Sequence, residues 1–340
     1  MRSILLILAA AVAWGCRPGP DRVVVYTSVD DVFAKPVLDS FERETGIRVA
    51  AVFDAEATKT TGLYQRLLAE RRRPQADVFW NSEPCRTALL EAAGVLAPLE
   101  IPSAREIPPD LRSASGAWTG FAARARVLVY NTRRLPEVER PKSIHDLTRE
   151  RFRGQAAISD PLFGTMATHA AALRVKLGAK AMEDYFRALL ANDVKVVPGN
   201  SVVRDRVVSG ELLCGLTDTD DAHVAILRGE PIGIVFPDQE ALFPGFEGPL
   251  GCLVFPNTVA LIAGGPRPAL GARLADYILR RETEEALARG ESAQIPVREG
   301  IAQPARLAVP QALVRMVVPW SEAAGAMEES VQFFRGLLLK

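Results

Sequence analysis

The chain has 340 residues, 48% of them hydrophobic, with 41 basic side chains against 41 acidic ones. Such a balance gives no overall field to recruit nucleic acid or to hold the whole chain on an anionic surface. The length exceeds one ordinary core and suits two domains of roughly 100 to 200 residues each.

Arg2 opens a short basic region, and residues 4–13 form an apolar stretch that closes on Ala13-Trp14-Gly15-Cys16. About ten apolar residues fall short of the ~20 that cross a bilayer, and small residues follow where a peptidase cuts, so residues 1–15 read as a signal peptide. Cleavage before Cys16 leaves a cysteine for diacylation in a segment that resembles the bacterial lipobox, although Ala13 and Trp14 depart from its usual opening. Residues 16–22 then read as the tether of a membrane-anchored lipoprotein; plain secretion is the alternative. The other thiols, Cys85, Cys214 and Cys252, show neither Cys-x-x-Cys nor zinc-site spacing. A Cys214–Cys252 disulfide and three buried reduced thiols are both open readings.

From Val23-Val24-Val25-Tyr26-Thr27 onward the pattern alternates strand and helix: Phe33, Val37, Leu38 and Phe41 recur at helical spacing up to Gly46, and a strand follows at 47–53. A helix is expected at 58–73, a strand at 76–80 and a helix at 84–93. Short connections between these elements imply an α/β lobe with a parallel sheet covered on both faces. A strand at 126–131 leads into a Pro- and charge-rich stretch at 133–142. The alternation then restarts with strands at 156–160, 194–197 and 212–217 and helices at 164–177, 179–192 and 202–209. After Val235 the chain is expected to return to the first lobe through strands at 253–255 and 258–263, and to run mostly helical to its end.

Seven segments occur in the order of a known family. They include Val25-Tyr26-Thr27-Ser28, Ala76-Asp77-Val78-Phe79-Trp80-Asn81-Ser82-Glu83, Ala125-Arg126-Val127-Leu128-Val129-Tyr130-Asn131-Thr132 and Asp160-Pro161-Leu162-Phe163-Gly164-Thr165. Val197-Pro198-Gly199-Asn200-Ser201, Gly215-Leu216-Thr217-Asp218-Thr219-Asp220-Asp221-Ala222 and Pro256-Asn257-Thr258-Val259-Ala260 complete them. Together they resemble the iron(III)-type periplasmic solute-binding proteins of ABC importers, a family related to the phosphonate-binding proteins. The resemblance implies a two-lobed type II periplasmic binding fold, with a small ligand held in the interlobe cleft and delivered to a permease in the inner membrane. Residues 23–126 plus 250–340 would form lobe 1 and 127–249 lobe 2, with hinges near 127–131 and 216–219. It also implies a monomer that touches the membrane through its lipid anchor alone, with no nucleic-acid partner and no cofactor requirement beyond a bound iron(III) and a synergistic anion.

The candidate ligand-binding residues follow the strand ends. Thr27 and Ser28 sit where open parallel sheets place ligands and where helix-start amides hold anions, though Ser and Thr also simply cap helices. Asp30 and Asp31 lie near the place where the iron-binding relatives carry a histidine; their simpler role is to face a helix dipole. Glu83 lies within about one residue of a metal-ligating glutamate of those relatives and could bind a hard cation. Arg124 and Arg126 point to one face of their strand and suit a carboxylate, carbonate or phosphate, or an interlobe ion pair. Gly164 with Thr165, and Asn200 with Ser201, open helices whose free amides could converge on an anion. Where the ferric relatives carry two adjacent tyrosines this chain has Asp220 and Asp221, with Asp218 beside them; together with Glu83 they make an acidic, oxygen-donor metal site, or a partner for an ammonium group. Either aspartate is also an ordinary cap for a helix starting at Ala222. The expected function is therefore capture of iron(III) or another small ion. An aminoalkylphosphonate or other organic solute is the alternative, and an exported metal-dependent hydrolase the less favoured class, since no nucleophile-and-base motif is present.

Overall fold

The computed structural model describes residues 22–54, 60–98 and 100–338. The expected signal peptide at 1–15, Cys16 and the tether up to residue 21 lie outside them. Arg22, expected at the end of the tether, is already the first residue of β1 (Arg22–Thr27).

The first half of the fold contains β1, α1 (Asp31–Thr45), β2 (Arg48–Phe53), α2 (Thr61–Glu70), β3 (Val78–Asn81), α3 (Pro84–Ala92) and the short β4 (Leu96–Ala97). Helix α1 stops where the sequence places its glycine: Gly46 adopts a left-handed φ of 72° and its N–H closes the last turn on the Glu42 carbonyl. Strands β2, β1 and β3 pair in parallel, as the alternation requires. Val23, Val25, Val78 and Trp80 bury one face of this sheet with α1, while Tyr26 and Phe79 bury the other with α2. The sheet is mixed rather than wholly parallel, because the returning strand β10 (Val254–Ile262) pairs antiparallel to β3.

One strand joins the two halves. β5 (Trp118–Asn131) is fourteen residues long and buried throughout. Its first half pairs with β10 up to Ala125, and its second half pairs with β8 (Cys214–Asp218) from Arg126 onward and with β9 (Ile232–Val235). Sequence pattern reveals only the second half, since Gly120, Ala122, Ala123 and Arg124 do not read as strand residues. Two local devices shape the first half. A Cβ on Gly120 would lie 2.7 Å from the Pro256 ring, so glycine lets β10 pass at its irregularity between Pro256 and Asn257. Ala122 takes a left-handed φ of 42°; its N–H donates to Glu284 and its carbonyl accepts from Asn257.

The second half continues with β6 (Ala156–Ser159), α4 (Gly164–Leu177), α5 (Ala179–Ala191), β7 (Lys195–Val197), α6 (Asn200–Val208), β8 and α7 (Thr219–Leu227), with β7, β6 and β8 parallel. After β10 come α8 (Pro268–Leu279), α9 (Arg281–Arg289) and α10 (Trp320–Leu338). Residues 290–319 contain one short 3-10 turn (Ala305–Leu307) and no α-helix, so the expected helical tail is interrupted. Helix α10 buries Met327, Val331 and Phe334 in the same core as α4, α5 and residues Cys85 and Ala88 of α3, and thus spans both halves from behind. Cys85, Cys214 and Cys252 are buried and reduced, which settles the open disulfide question in favour of three thiols.

Candidate ligand-binding cleft

The parallel strands β1, β3, β6 and β8 end facing one another across the junction in β5, and there a cleft of about 470 Å³ opens. One wall carries Asp30, Asp31, Val32, Phe33 and Ser82; the other carries Ser159, Asp160, Phe163, Gly164, Thr165, Asn200, Ser201, Asp218 and Asp221, with Arg124 between them. Helices α4 and α6 both start at this cavity. At the start of α4, Gly164 has a φ of 54°, a backbone state that disfavours any side chain there although space is free.

The polar centre is an arginine and aspartate network that crosses β5. Arg126, fully buried, donates through Nη1 to Asp218 Oδ1 at 2.6 Å and Asn200 Oδ1 at 2.9 Å. Thr165 Oγ1 and Asn200 Nδ2 donate to the other oxygen, Asp218 Oδ2, at 2.7 and 2.9 Å. Arg124 Nη1 reaches Asp220 at 3.0 Å and Asp218 at 3.6 Å, while Nη2 donates to the Ser82 carbonyl on the opposite wall. Register explains the meeting: Arg126 lies directly opposite Asp218 in the β5–β8 pair, and Arg124, two residues back, shares its face. Burial works against the Arg124 charge, but Asp220 and Asp218 outweigh it and hold the guanidinium above its ordinary range. Burial pushes the Asp220 carboxyl up against the pull of Arg124, and Asp218 and Asp30 add to the rise. Asp218, Asp220 and Asp221 offer one oxygen each within 4.8 Å of one another, a group dense enough to hold a hard cation.

The structure brings Asp30, Arg124, Gly164, Thr165, Asn200, Ser201, Asp218 and Asp221 to the cleft wall, and Arg126 and Asp220 directly behind it. It does not bring Thr27, Ser28 or Glu83 there. Thr27 Oγ1 accepts the Val29 N–H at 3.1 Å, and Ser28 is buried against Asn81 and Ser82. Glu83, expected as a metal ligand, is fully buried as the cap of α3, accepting the Cys85 and Arg86 N–H groups at 2.6 and 2.9 Å and the Thr168 hydroxyl at 2.8 Å. A carboxylate with four stationary partners is spent on the fold. Asp220 and Asp221 do not cap a helix starting at Ala222 either, because α7 already begins at Thr219.

Arg204, Arg228 and Glu291 also line the cleft and were not anticipated. The first two had a legible signal: Arg204 lies one helical turn beyond Asn200, and Arg228, the residue that caps the end of α7, follows Asp221 and Val224 at helical spacing. Arg204 Nη1 lies 3.7 Å from Asp221. The wall is therefore of mixed sign, six carboxylates (Asp30, Asp31, Asp160, Asp218, Asp221, Glu291) facing three guanidiniums (Arg124, Arg204, Arg228).

A two-lobed α/β molecule with a polar interlobe cleft at its strand ends is the architecture of a solute-binding protein. A family model described as bacterial extracellular solute-binding protein matches residues 76–322, and the chain belongs to that family. The "Fe(3+)-binding periplasmic protein" of Serratia marcescens is 30% identical over 214 residues, 62% of each chain; the chain thus spans 62% of that relative's length in the match. Among solved structures, iron-bound HitA from Pseudomonas aeruginosa superposes with a TM-score of 0.79 at 23% identity, covering 94% of this chain and 100% of that one. The periplasmic binding protein AfuA from Actinobacillus pleuropneumoniae, with exogenous fructose-6-phosphate bound, gives 0.79 at 19% identity, covering 94% and 98%. These likenesses establish the expected two-lobed fold.

Proposed function

We propose that the chain is the extracytoplasmic ligand-capturing component of an ABC importer, a monomeric binding protein and not an enzyme, anchored through a diacylated Cys16. In this reading it takes iron(III) together with an anion into the cleft and hands both to an inner-membrane permease. The lobes divide at Arg126 on β5, with residues 23–126 and the returning chain from 250 on one side and 127–249 on the other; α10 is a strap behind both. The observation that carries the reading is the oxygen cluster of Asp218, Asp220 and Asp221 in an interlobe cleft, and the iron-binding names of relatives in its family support it. Without the phenolate pair, the cation meets carboxylates already engaged by Arg124. An anion that occupies Arg124 releases those oxygens, so cation and anion bind as a set.

The test is thermal melting of the polypeptide from Arg17 onward, stripped of metal, against iron(III) with carbonate or citrate, divalent metals, phosphate and aminoalkylphosphonates. A ligand that binds only the folded state raises the melting temperature with concentration. The expected result is a shift with iron(III) plus anion that Asp220→Ala/Asp221→Ala abolishes. One observation favours a second reading: Val32, Phe33, Phe163 and Val224 give the cleft an apolar side that a bare ion does not use. A shift with phosphonates or organic phosphates and none with iron(III) would replace the first reading by that one.

A further inference from the structure

The balanced net charge conceals a local asymmetry. Strands β1 and β2 both begin with arginine, and parallel register sets Arg22 directly opposite Arg48. The loop before β3 carries Arg71, Arg72 and Arg73, and Pro74 next to them packs toward Gly264. Three residues beyond Gly264, Arg267 donates through Nη1 to the Arg22 carbonyl at 3.0 Å. Six exposed arginines therefore gather at the N-terminal edge of the parallel strands, the end opposite to the cleft. Among the described residues, Arg48 alone of the six forms an ion pair, with Glu42 at 3.6 Å. The neighbouring acids are engaged elsewhere. Glu70 pairs with Arg66, and the buried Asp77 accepts the backbone N–H groups of Val24 and Arg267.

We infer that this arginine edge is a docking surface for the head groups of an anionic bilayer. The position of the chain entry supports this occupant. Arg22 is where the N-terminal segment joins the fold, and the six steps from Cys16 to Arg22 reach at most about 20 Å. If Cys16 carries the anchor, a point that rests on the function proposed above, that reach lets the edge settle onto the head groups, inside the screening length of about 8 Å at physiological salt, and limits how far it can leave them. Exposed arginines that come within one such length of an anionic leaflet bind it additively. Docked on this edge, the molecule turns its cleft away from the bilayer, toward arriving solute, and must detach to face a permease.

The experiment is sedimentation of the unlipidated chain from Arg17, which keeps every described element, with vesicles of phosphatidylethanolamine and phosphatidylglycerol or of phosphatidylcholine alone. We expect binding to the anionic vesicles only, weakened by salt, and reduced about tenfold or more in Arg71→Ala/Arg72→Ala/Arg73→Ala. The charge-matched control Arg133→Ala/Arg134→Ala/Arg140→Ala, on the other half, should bind like the parent, and melting curves establish that each variant is folded. Equal partition into both vesicle types, an unaffected edge variant, or full competition by soluble glycerol phosphate, which would indicate a site for free anions, overturns the inference. Ligand-induced melting shifts measured on the same proteins report the cleft separately, so vesicle binding with no ligand shift counts against the proposed function and not against the edge.

Discussion

Asp238 shows how a buried carboxyl away from the cleft sets the acid response of the fold. It is 1% exposed, accepts the Ser143 hydroxyl, and its backbone N–H donates to the Lys142 carbonyl, tying the segment after β9 to the one after β5. Burial pushes its carboxyl up to about 6, only partly opposed by the Ser143 and Ile144 donors. A carboxyl raised in the folded state contributes stability that is complete below its unfolded value near 4 and is lost as pH rises through about 6. Buried His169 works the other way: burial first, then Arg126, holds it well below its usual range, so its contribution is lost as pH falls below about 6.5. Comparing Asp238→Asn with the parent cancels the histidine. The variant should gain about 2 kcal/mol on the parent between pH 4 and pH 7, read by urea denaturation at a series of pH values. A difference that does not change with pH would mean that Asp238 titrates in the folded protein as it does in the unfolded chain, with no effect of burial.

At the scale of elements, α3 depends on its cap. Glu83→Ala removes the acceptor of two helix-start N–H groups and strands the buried Thr168 hydroxyl, which together should cost about 2 to 4 kcal/mol. The melting shift caused by ligand, measured on the destabilised protein, should persist. Its loss with stability intact would restore Glu83 as a ligand. This is also where legibility from sequence ends. The regular elements were legible because β-prone runs and helical spacing are local signals, and the Asp218 to Asp221 cluster because it is contiguous. Whether Glu83 turns to a metal or back onto its own helix depends on Asn81 and Thr168, and Thr168 comes from the other half of the chain. The first half of β5 was hidden for a similar reason, since its small residues are strand only because β10 lies beside them. The interrupted tail escaped because Val309, Leu313 and Met316 pack without a helix against the core around Cys252.

For the whole molecule the decisive group is Arg124, because it touches both walls. It hangs on the part of β5 that pairs with β10, holds the Ser82 carbonyl on one side and pairs with Asp220 and Asp218 on the other. A cation entering alone must compete with a guanidinium that its carboxylates hold strongly protonated, while an anion entering alone must draw that guanidinium from those carboxylates. Each ligand removes what opposes the other, so anion and cation should raise one another's affinity by the same factor, about 5 to 150-fold for couplings of this kind. Arg124→Gln tests this without removing a single carboxylate. In the parent, iron(III) exchanged from a weak chelate should bind much more tightly when carbonate is present. In the variant the aspartates are open to the cation and the anion has lost its partner, so affinity should be nearly the same with and without carbonate. Calorimetric titration of both proteins in both buffers closes the cycle. A coupling of equal size in the parent and in Arg124→Gln would place the anion on Arg204, Arg228 or the helix amides, and would leave Arg124 only the task of tying the two lobes together.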